Sequence, residues 1–250
     1  MTVTTYCGDC LVEMDNIPDH SVNMILCDLP YGTTKNSWDA VIPFDSLWEQ
    51  YKRILIEGGV VALFAQHPFN FTLGCSNLPW FRYQWIWRKN VVTGFLNANR
   101  APLKSHEDIL IFCEKGAPYN PQVSQRAPAK SPGMGSRSSN YGGYHTMPDE
   151  LTGVRYPQDV LDFKVESKDK LHPTQKPVPL CEYLIRTYTD EGMTVLDNCM
   201  GSGTTGVAAV QTGRDFIGIE RDPEYYRIAV ERINAAKRKT SGRVTLEAFA

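Results

Sequence analysis

Met193-Thr194-Val195-Leu196-Asp197-Asn198-Cys199-Met200-Gly201-Ser202-Gly203-Thr204-Thr205-Gly206 is the stretch from which the fold can be read. Its apolar opening predicts a strand over residues 193–198. A glycine turn follows, and the small residues from Thr204 to Gln211 predict a tightly packed helix. Gly201, Gly203 and Gly206 match G-x-G-x-x-G in the setting the motif requires, after a strand and at the start of a helix. Residues 215–219 predict the next strand and residues 223–237 another helix. A strand, a crossover helix and a second strand imply parallel pairing and a right-handed crossover.

Outward from this unit the same alternation continues. Residues 178–188 predict a helix. Residues 4–7 and 24–27 predict strands, and Met24-Ile25-Leu26-Cys27 is an unbroken apolar run, as in a strand buried on both faces. Residues 45–55 predict a helix capped by Asp45, with Leu47, Trp48, Tyr51, Ile54 and Leu55 at helical spacing. Gly58-Gly59 ends it, and strands follow at residues 60–65, 83–87 and 108–113. A chain of 250 residues, 42% hydrophobic, has room for one sizeable α/β core carrying an insertion.

The insertion is marked by texture. From about Gly116 to Asp149 the chain is rich in Gly, Pro, Ser, Asn and Tyr, and Ser131 to Asn140 has nothing with which to build a core. From Lys115 to Pro148 there is no Asp or Glu, while Lys115, Arg126, Lys130 and Arg137 are present and Tyr119, Tyr141 and Tyr144 are interleaved. A net charge of −2 argues against a protein that coats nucleic acid as a polycation. A local patch of this kind is still enough to meet a phosphate backbone. A surface loop without function is the plainer alternative.

Other classes recede. No apolar run approaches the ~20 residues of a membrane span. The N-terminus lacks a basic start followed by an apolar stretch, so no secretory signal is expected. The seven cysteines are odd in number and lie mostly in apolar segments (Cys27, Cys113, Cys199), as free thiols do in a reducing, cytoplasmic setting. Cys7-Gly8-Asp9-Cys10 has no second pair at zinc-finger spacing, so no metal is expected.

Two strand ends carry the chemistry. At the first, the glycine turn lets the backbone approach a ligand, and Glu220 at the end of the next strand can accept from ribose hydroxyls. That suits a dinucleotide or S-adenosylmethionine (SAM). Asp197, just before the turn, favours SAM, because a carboxylate there meets a cationic amino-acid end and repels a pyrophosphate. The second strand end is Asp28-Leu29-Pro30-Tyr31-Gly32. The exocyclic amine of a nucleobase is a poor nucleophile, because its lone pair is delocalised into the ring. To react, the base must leave the stack. Both amine hydrogens must meet fixed acceptors and the nitrogen must be aligned with its target. Asp28 can accept one hydrogen. A backbone carbonyl of Leu29-Pro30, its direction fixed by proline, can accept the other. Tyr31 can stack on the base, worth about 1–3 kcal/mol. On these residues alone a simple β-turn is equally open.

The resemblance to a family narrows this. Asp28-Leu29-Pro30-Tyr31 resembles the Asp-Pro-Pro-Tyr motif of amino-group DNA methyltransferases, and Asp197 to Gly203 resembles their cofactor motif, Asp-Pro-Phe-x-Gly-Ser-Gly. His172-Pro173-Thr174-Gln175-Lys176-Pro177 is similar to the segment preceding their cofactor strand. Gly8-Asp9 is similar to a short N-terminal motif whose acid lies near the adenine of the cofactor. Thr93-Gly94-Phe95-Leu96-Asn97 and His106-Glu107 fit later strand segments. The likeness runs from about Thr5 to Ile233, with the catalytic motif before the cofactor motif, the order of the β group. It implies a seven-stranded, mostly parallel Rossmann-like α/β sheet in three stretches: a catalytic half (1–115), a target-recognition insertion (116–170) and a SAM-binding half (171–250). It implies direct transfer of a methyl group from SAM to a flipped base in double-stranded DNA, with adenine N6 the leading target because Asp opens the motif.

The residues expected to act on the base are Asp28, Leu29, Pro30 and Tyr31. Those expected to hold SAM are Asp9, His172, Thr174, Lys176, Asp197, Gly201, Ser202, Gly203, Thr204 and Glu220. Lys115, Arg126, Lys130 and Arg137 are expected to meet DNA. Leu29 departs from the commoner Pro, and Asn198-Cys199-Met200 from Pro-Phe, which alters a pocket wall. No Pro-Cys pair is present, so no cysteine is given the nucleophilic role it has in cytosine-C5 enzymes. A homodimer is compatible with the family. The alternatives are cytosine N4 as target, a nicotinamide-dependent dehydrogenase, which leaves Asp28 to Tyr31 unexplained, and a non-catalytic DNA-binding module.

Overall fold

The computed structural model describes residues 1–32, 40–125, 153–165 and 175–247. In chain order the strands are β1 (Val3–Cys7), β2 (Val22–Cys27), β3 (Leu55–Ala65), β4 (Phe81–Thr93), β5 (Lys104–Phe112), β6 (Ser124–Gln125), β7 (Val154–Arg155), β8 (Val160–Asp162), β9 (Thr194–Asp197) and β10 (Asp215–Glu220). The α-helices are α1 (Cys10–Glu13), α2 (Phe44–Ile54), α3 (Phe69–Ser76), α4 (Val178–Tyr188), α5 (Thr204–Gln211) and α6 (Pro223–Glu247).

Eight strands form one sheet in the order β1-β10-β9-β2-β3-β5-β4-β8. Only β5 runs against the rest, antiparallel to both β3 and β4. The expected seven strands therefore gain an eighth, because β8 pairs in parallel with β4 through Ile86–Val160 and Trp87–Leu161. That pairing also moves a boundary. The chain divides into one unit of Met1–Tyr119 with Asp159–Ala250 and a second of Asn120–Gln158, narrower than the expected 116–170 insertion. Among the described residues, the second unit has a two-stranded ladder, β6 against β7.

The apolar run of β2 shows why a central parallel strand does not alternate. Met24 and Leu26 join the core that packs against α4, α5 and α6. Ile25 and Cys27 join the core that packs against α1, α2 and α3. A sheet covered on both faces needs apolar residues at both parities.

Two expectations shift locally. Helix α2 starts at Phe44 with Pro43 in the N-cap position and no side-chain cap, so Asp45 lies in the first turn instead of capping, and it ends at Ile54 with Leu55 already extended. Gly58-Gly59 is not a break between elements but a bulge inside β3. The ladder pairs Val22 with Leu55 and next Met24 with Val60, and Gly58 takes φ +76° there. Helix α3 lacks an apolar stripe in sequence. It is held by burial of Phe69 and Leu73 and by the Trp48 indole, which donates to Ser76 Oγ at 2.8 Å.

Strands β2 and β9 are neighbours. From β2 the chain moves to β3 on one side, and from β9 to β10 on the other. A crevice opens at such a switch point, beyond the carboxyl ends of the strands.

Candidate active site

The crevice is a cavity lined from both halves of the sheet: Asp28 to Tyr31 after β2, Asp197 to Ser202 after β9, Glu220 after β10, Gly8 and Asp9 after β1, Glu107 from β5, and Gln175 with Lys176 before α4. The order of the strands brings these residues together, since Asp28 and Lys176 are separated by most of the chain.

The glycine turn is built as its spacing predicts, but the three glycines do different work. Gly201 donates its backbone N–H to Glu220 Oε2 at 2.8 Å, and Asp222 N–H donates to Oε1 at 2.8 Å. Gly203 has φ +78° at the N-cap of α5, and a Cβ there would lie 2.9 Å from Ala229 Cβ. A Cβ on Gly206 would lie 2.5 Å from Ile233 Cδ1 and 2.6 Å from Phe216. Gly203 and Gly206 therefore serve the approach of α6 to α5 and β10, and only Gly201 of the three lines the cavity. Ser202 and Thr204 line it as well, steadied by the Arg232 guanidinium, which donates to Ser202 O and Oγ at 2.5 and 3.0 Å.

Asp197 is 4% exposed. Its Oδ1 accepts from Cys199 N–H at 3.1 Å. No cation lies within ion-pair distance of it among the described residues. Burial pushes its carboxyl up to about 7, against hydrogen bonds that work to lower it. Such a group binds an external cation readily, because the cation removes the cost of ionisation. Burial raises the Glu220 carboxyl too. Asp9 is exposed and caps α1, its Oδ1 accepting from Leu11 N–H at 3.0 Å.

At the other strand end both carboxylate oxygens of Asp28 are engaged. Tyr31 donates its phenol to Oδ1 at 2.6 Å, and Lys176 donates its ammonium to Oδ2 at 2.5 Å. The Tyr31 ring packs against Phe69, centroids 5.0 Å apart. Leu29 turns its side chain into the core and is 3% exposed, so its contribution to the cleft is through the backbone. The same Lys176 ammonium lies 3.3 Å from Glu107 Oε2, and the Lys89 ammonium pairs with Glu107 Oε1. Burial works to raise the Glu107 carboxyl, but the two ammoniums outweigh it and hold it below the usual range. Burial works against the charge on Lys176, and the carboxylates of Asp28 and Glu107 outweigh it and hold the ammonium above its ordinary value.

Glu107 is the site residue to which sequence reasoning gave no role. Glu107-Asp108 opens an apolar strand, and alternation sends Glu107 toward Lys176 while Asp108 accepts from Asn70 Nδ2 at 2.7 Å. Two adjacent acids just before the apolar half of β5 were the available signal. His106, beside Glu107 on the strand, is exposed.

The expected nucleic-acid contacts fare differently. Arg126, Lys130 and Arg137 lie outside the described residues, as do His172 and Thr174. Lys115 is described. It follows the end of antiparallel β5, and so lies by the amino-terminal half of β3, where it pairs with Glu57 at 3.2 Å. That is the end of the sheet opposite the cleft. At the other end of β5, where Arg88 is in register with His106, the Arg88 guanidinium is paired with Asp162 through two bonds of 2.6 Å.

All seven cysteines are free. Burial pushes the Cys27 thiol up to about 12, the opposite of what a nucleophilic thiol needs. No described helix is long and apolar enough to cross a membrane.

Residues 22–231 match the family model described as DNA methylase, N6_N4_Mtase. Among similar proteins, the DNA adenine methyltransferase YhdJ of Escherichia coli (strain K12) is 28% identical over 245 residues, covering 92% of this chain and 82% of the relative. Among solved structures, the PvuII DNA methyltransferase (cytosine-N4-specific) superposes with a TM-score of 0.68 at 15% identity, over 96% of this chain and 92% of that one. The M1.HpyAVI–SAM complex superposes with a TM-score of 0.63 at 22% identity, over 92% of this chain and 100% of that one.

Proposed function

We propose an adenine-N6 methyltransferase of DNA, reasoning from one premise: the chain belongs to the N6_N4_Mtase family of DNA methylases. The observation that carries the proposal is Asp28, fixed at a strand end as an acceptor by the Tyr31 phenol and the Lys176 ammonium, one strand away from Asp197.

SAM fits the second strand end. Asp197 is a buried carboxylate without a cation among the described residues, and the ammonium of an amino acid answers that need. Glu220 keeps lone pairs for ribose hydroxyls beyond the two it gives to backbone N–H groups. Bound there, SAM supplies an electrophilic methyl group and leaves as the neutral thioether. The residues of this chain do the rest. Asp28 accepts one hydrogen of the target amine and a Leu29-Pro30 carbonyl the other, which localises the lone pair on nitrogen. Tyr31 and Pro30 offer a flat apolar surface to a base that has left the stack. After transfer the nitrogen carries one proton too many, and Asp28 is the nearest acceptor through which it reaches solvent. Double-stranded DNA is the partner this chemistry needs.

Adenine is favoured by the Asp that opens the motif and by the likeness to the DNA adenine methyltransferase YhdJ of Escherichia coli. Cytosine N4 is the second reading, favoured by the superposition on the PvuII enzyme. The test is incubation with unmethylated DNA and SAM, digestion, and mass spectrometry of the nucleosides, with Asp28→Ala in parallel. N6-methyladenine made by the wild type and lost in the variant is the expected result. N4-methylcytosine keeps the mechanism and changes the base. No modified nucleoside on DNA of varied sequence, with SAM binding demonstrated, overturns the proposal.

A further inference from the structure

The four charged side chains Lys89, Glu107, Lys176 and Asp28 come from β4, β5, the segment before α4 and the end of β2, and they form one chain of contacts into the cleft. Lys89 pairs with Glu107, Glu107 faces Lys176 at 3.3 Å, and Lys176 holds Asp28 Oδ2 at 2.5 Å. Two carboxylates and two ammoniums leave the group neutral. Lys176 is 7% exposed and Glu107 8% exposed. The Phe64 ring lies 5.1 Å from the Lys176 ammonium and closes off one side of it.

We propose that Lys176 and Glu107 are positioning residues for Asp28, with Lys89 anchoring the far end, rather than residues that hold SAM. The proposal rests on the amino-methylation reading and names the residues that make Asp28 competent for it. The argument has three parts. A carboxylate at a strand end has two rotatable bonds, and the Tyr31 phenol restrains only one of its oxygens. The ammonium on the second oxygen fixes the plane of the carboxylate, and so fixes the direction from which an amine can donate to it. A single ammonium beside that acceptor would also oppose the positive charge that grows on the target nitrogen. Glu107 cancels that field locally, because it lies on the other side of the same ammonium. Finally, a buried ionic chain gives little net stability over an apolar packing of the same volume. Its position at the reacting carboxylate is therefore better explained by geometry than by fold stability.

The test uses the full-length protein and four variants: Lys176→Met, Lys176→Arg, Glu107→Gln and the doubly neutral Lys176→Met/Glu107→Leu. The last removes Lys176 and Glu107 together, so that neither of these two buried charges is left without the other. SAM affinity is measured by calorimetry, and the single-turnover methylation rate is measured with SAM saturating. Thermal melting reports folding, and crystal structures report the Asp28 rotamer. The expected result for Lys176→Met and for the double variant is a rate loss of about 100-fold or more, SAM affinity within about threefold of wild type, and an Asp28 carboxylate that leaves its rotamer. Glu107→Gln is expected to lose about tenfold in rate, and Lys176→Arg to recover part of the activity.

SAM affinity weakened tenfold or more, with the rate at saturation unchanged, overturns the proposal and makes Lys176 a cofactor residue. An unchanged rate and affinity in the double variant also overturn it, leaving the chain purely structural. If the wild type modifies no base, the reading of function fails. In that case an Asp28 rotamer undisturbed in Lys176→Met separately overturns the positioning role.

Discussion

Asp28 and Asp197 end neighbouring parallel strands, β2 and β9, and open onto the same crevice, yet their surroundings differ. Asp28 takes one donor on each oxygen, an ammonium on one and a phenol on the other, and keeps lone pairs to offer. Asp197 is more deeply buried and has no cation beside it among the described residues, so its carboxyl rises to about 7. Under the proposed function the contrast separates two tasks. A carboxylate that must present a lone pair in a fixed direction is held by the protein's own charges. A carboxylate that must receive a charged ligand is left in want of one, and the ligand completes it.

The comparison breaks most visibly at Asp28. Asp28→Ala is expected to lower the methylation rate by at least about 1000-fold while SAM affinity stays within a few fold. A parallel loss of SAM binding in a calorimetric titration would merge the two tasks into one.

Asp197→Asn sharpens the other side. It should weaken SAM about 10- to 100-fold with little change in rate once the site is saturated. The wild type should also show a pH dependence that the variant lacks. The free carboxyl titrates near 7 and the bound form is ionised, so binding expels a proton below that pH. From pH 8 to pH 6 the dissociation constant should rise about tenfold, and a flat profile counts against the role. Stability carries the opposite sign. A carboxyl raised in the folded state binds more protons there than in the unfolded chain, so stability falls as pH rises from about 4 to about 7. Thermal melts of wild type and Asp197→Asn across that window measure it.

A smaller effect belongs to the first turn of α5, which follows the glycine turn after Asp197. Gly206→Ala places a Cβ 2.5 Å from Ile233 and 2.6 Å from Phe216, and should cost about 1–3 kcal/mol through overpacking. The expected drop in melting temperature is about 2–10 °C. Gly206 lies outside the cavity lining, so SAM affinity at 25 °C should be nearly unchanged.

The smallest effect is expected at Lys115. Its pair with Glu57 is exposed and lies at the far end of the sheet. Lys115→Ala should leave DNA affinity in a gel-shift titration within about twofold, and stability unaltered within error. A marked loss of affinity would restore the role that its place in an acid-free stretch implied.

Legibility in the sequence followed a physical rule. Helices α4 and α5 fall at the residues their patterns predict, because the Pro177 and Gly203 at their starts and their small or apolar residues act locally. Asp28, Asp197 and Glu220 were readable too, because each stands where an apolar strand stops, and strand ends in a parallel sheet face the crevice. The glycine spacing was legible, but not the division of labour within it, since the crowding of Gly203 and Gly206 depends on where α6 crosses.

The sequence by itself determined a parallel α/β sheet, the two carboxylate-bearing strand ends and the turn between them. Only the tertiary structure decided that Lys89, Glu107 and Lys176 converge on Asp28, that β8 joins the large sheet, and that Lys115 lies away from the cleft. The reason is the range of the interactions. Periodicity and turn chemistry act over a few residues. Whether a charge is paired or alone depends on which distant strands are neighbours, and strand order is settled by burying both faces of the sheet at once.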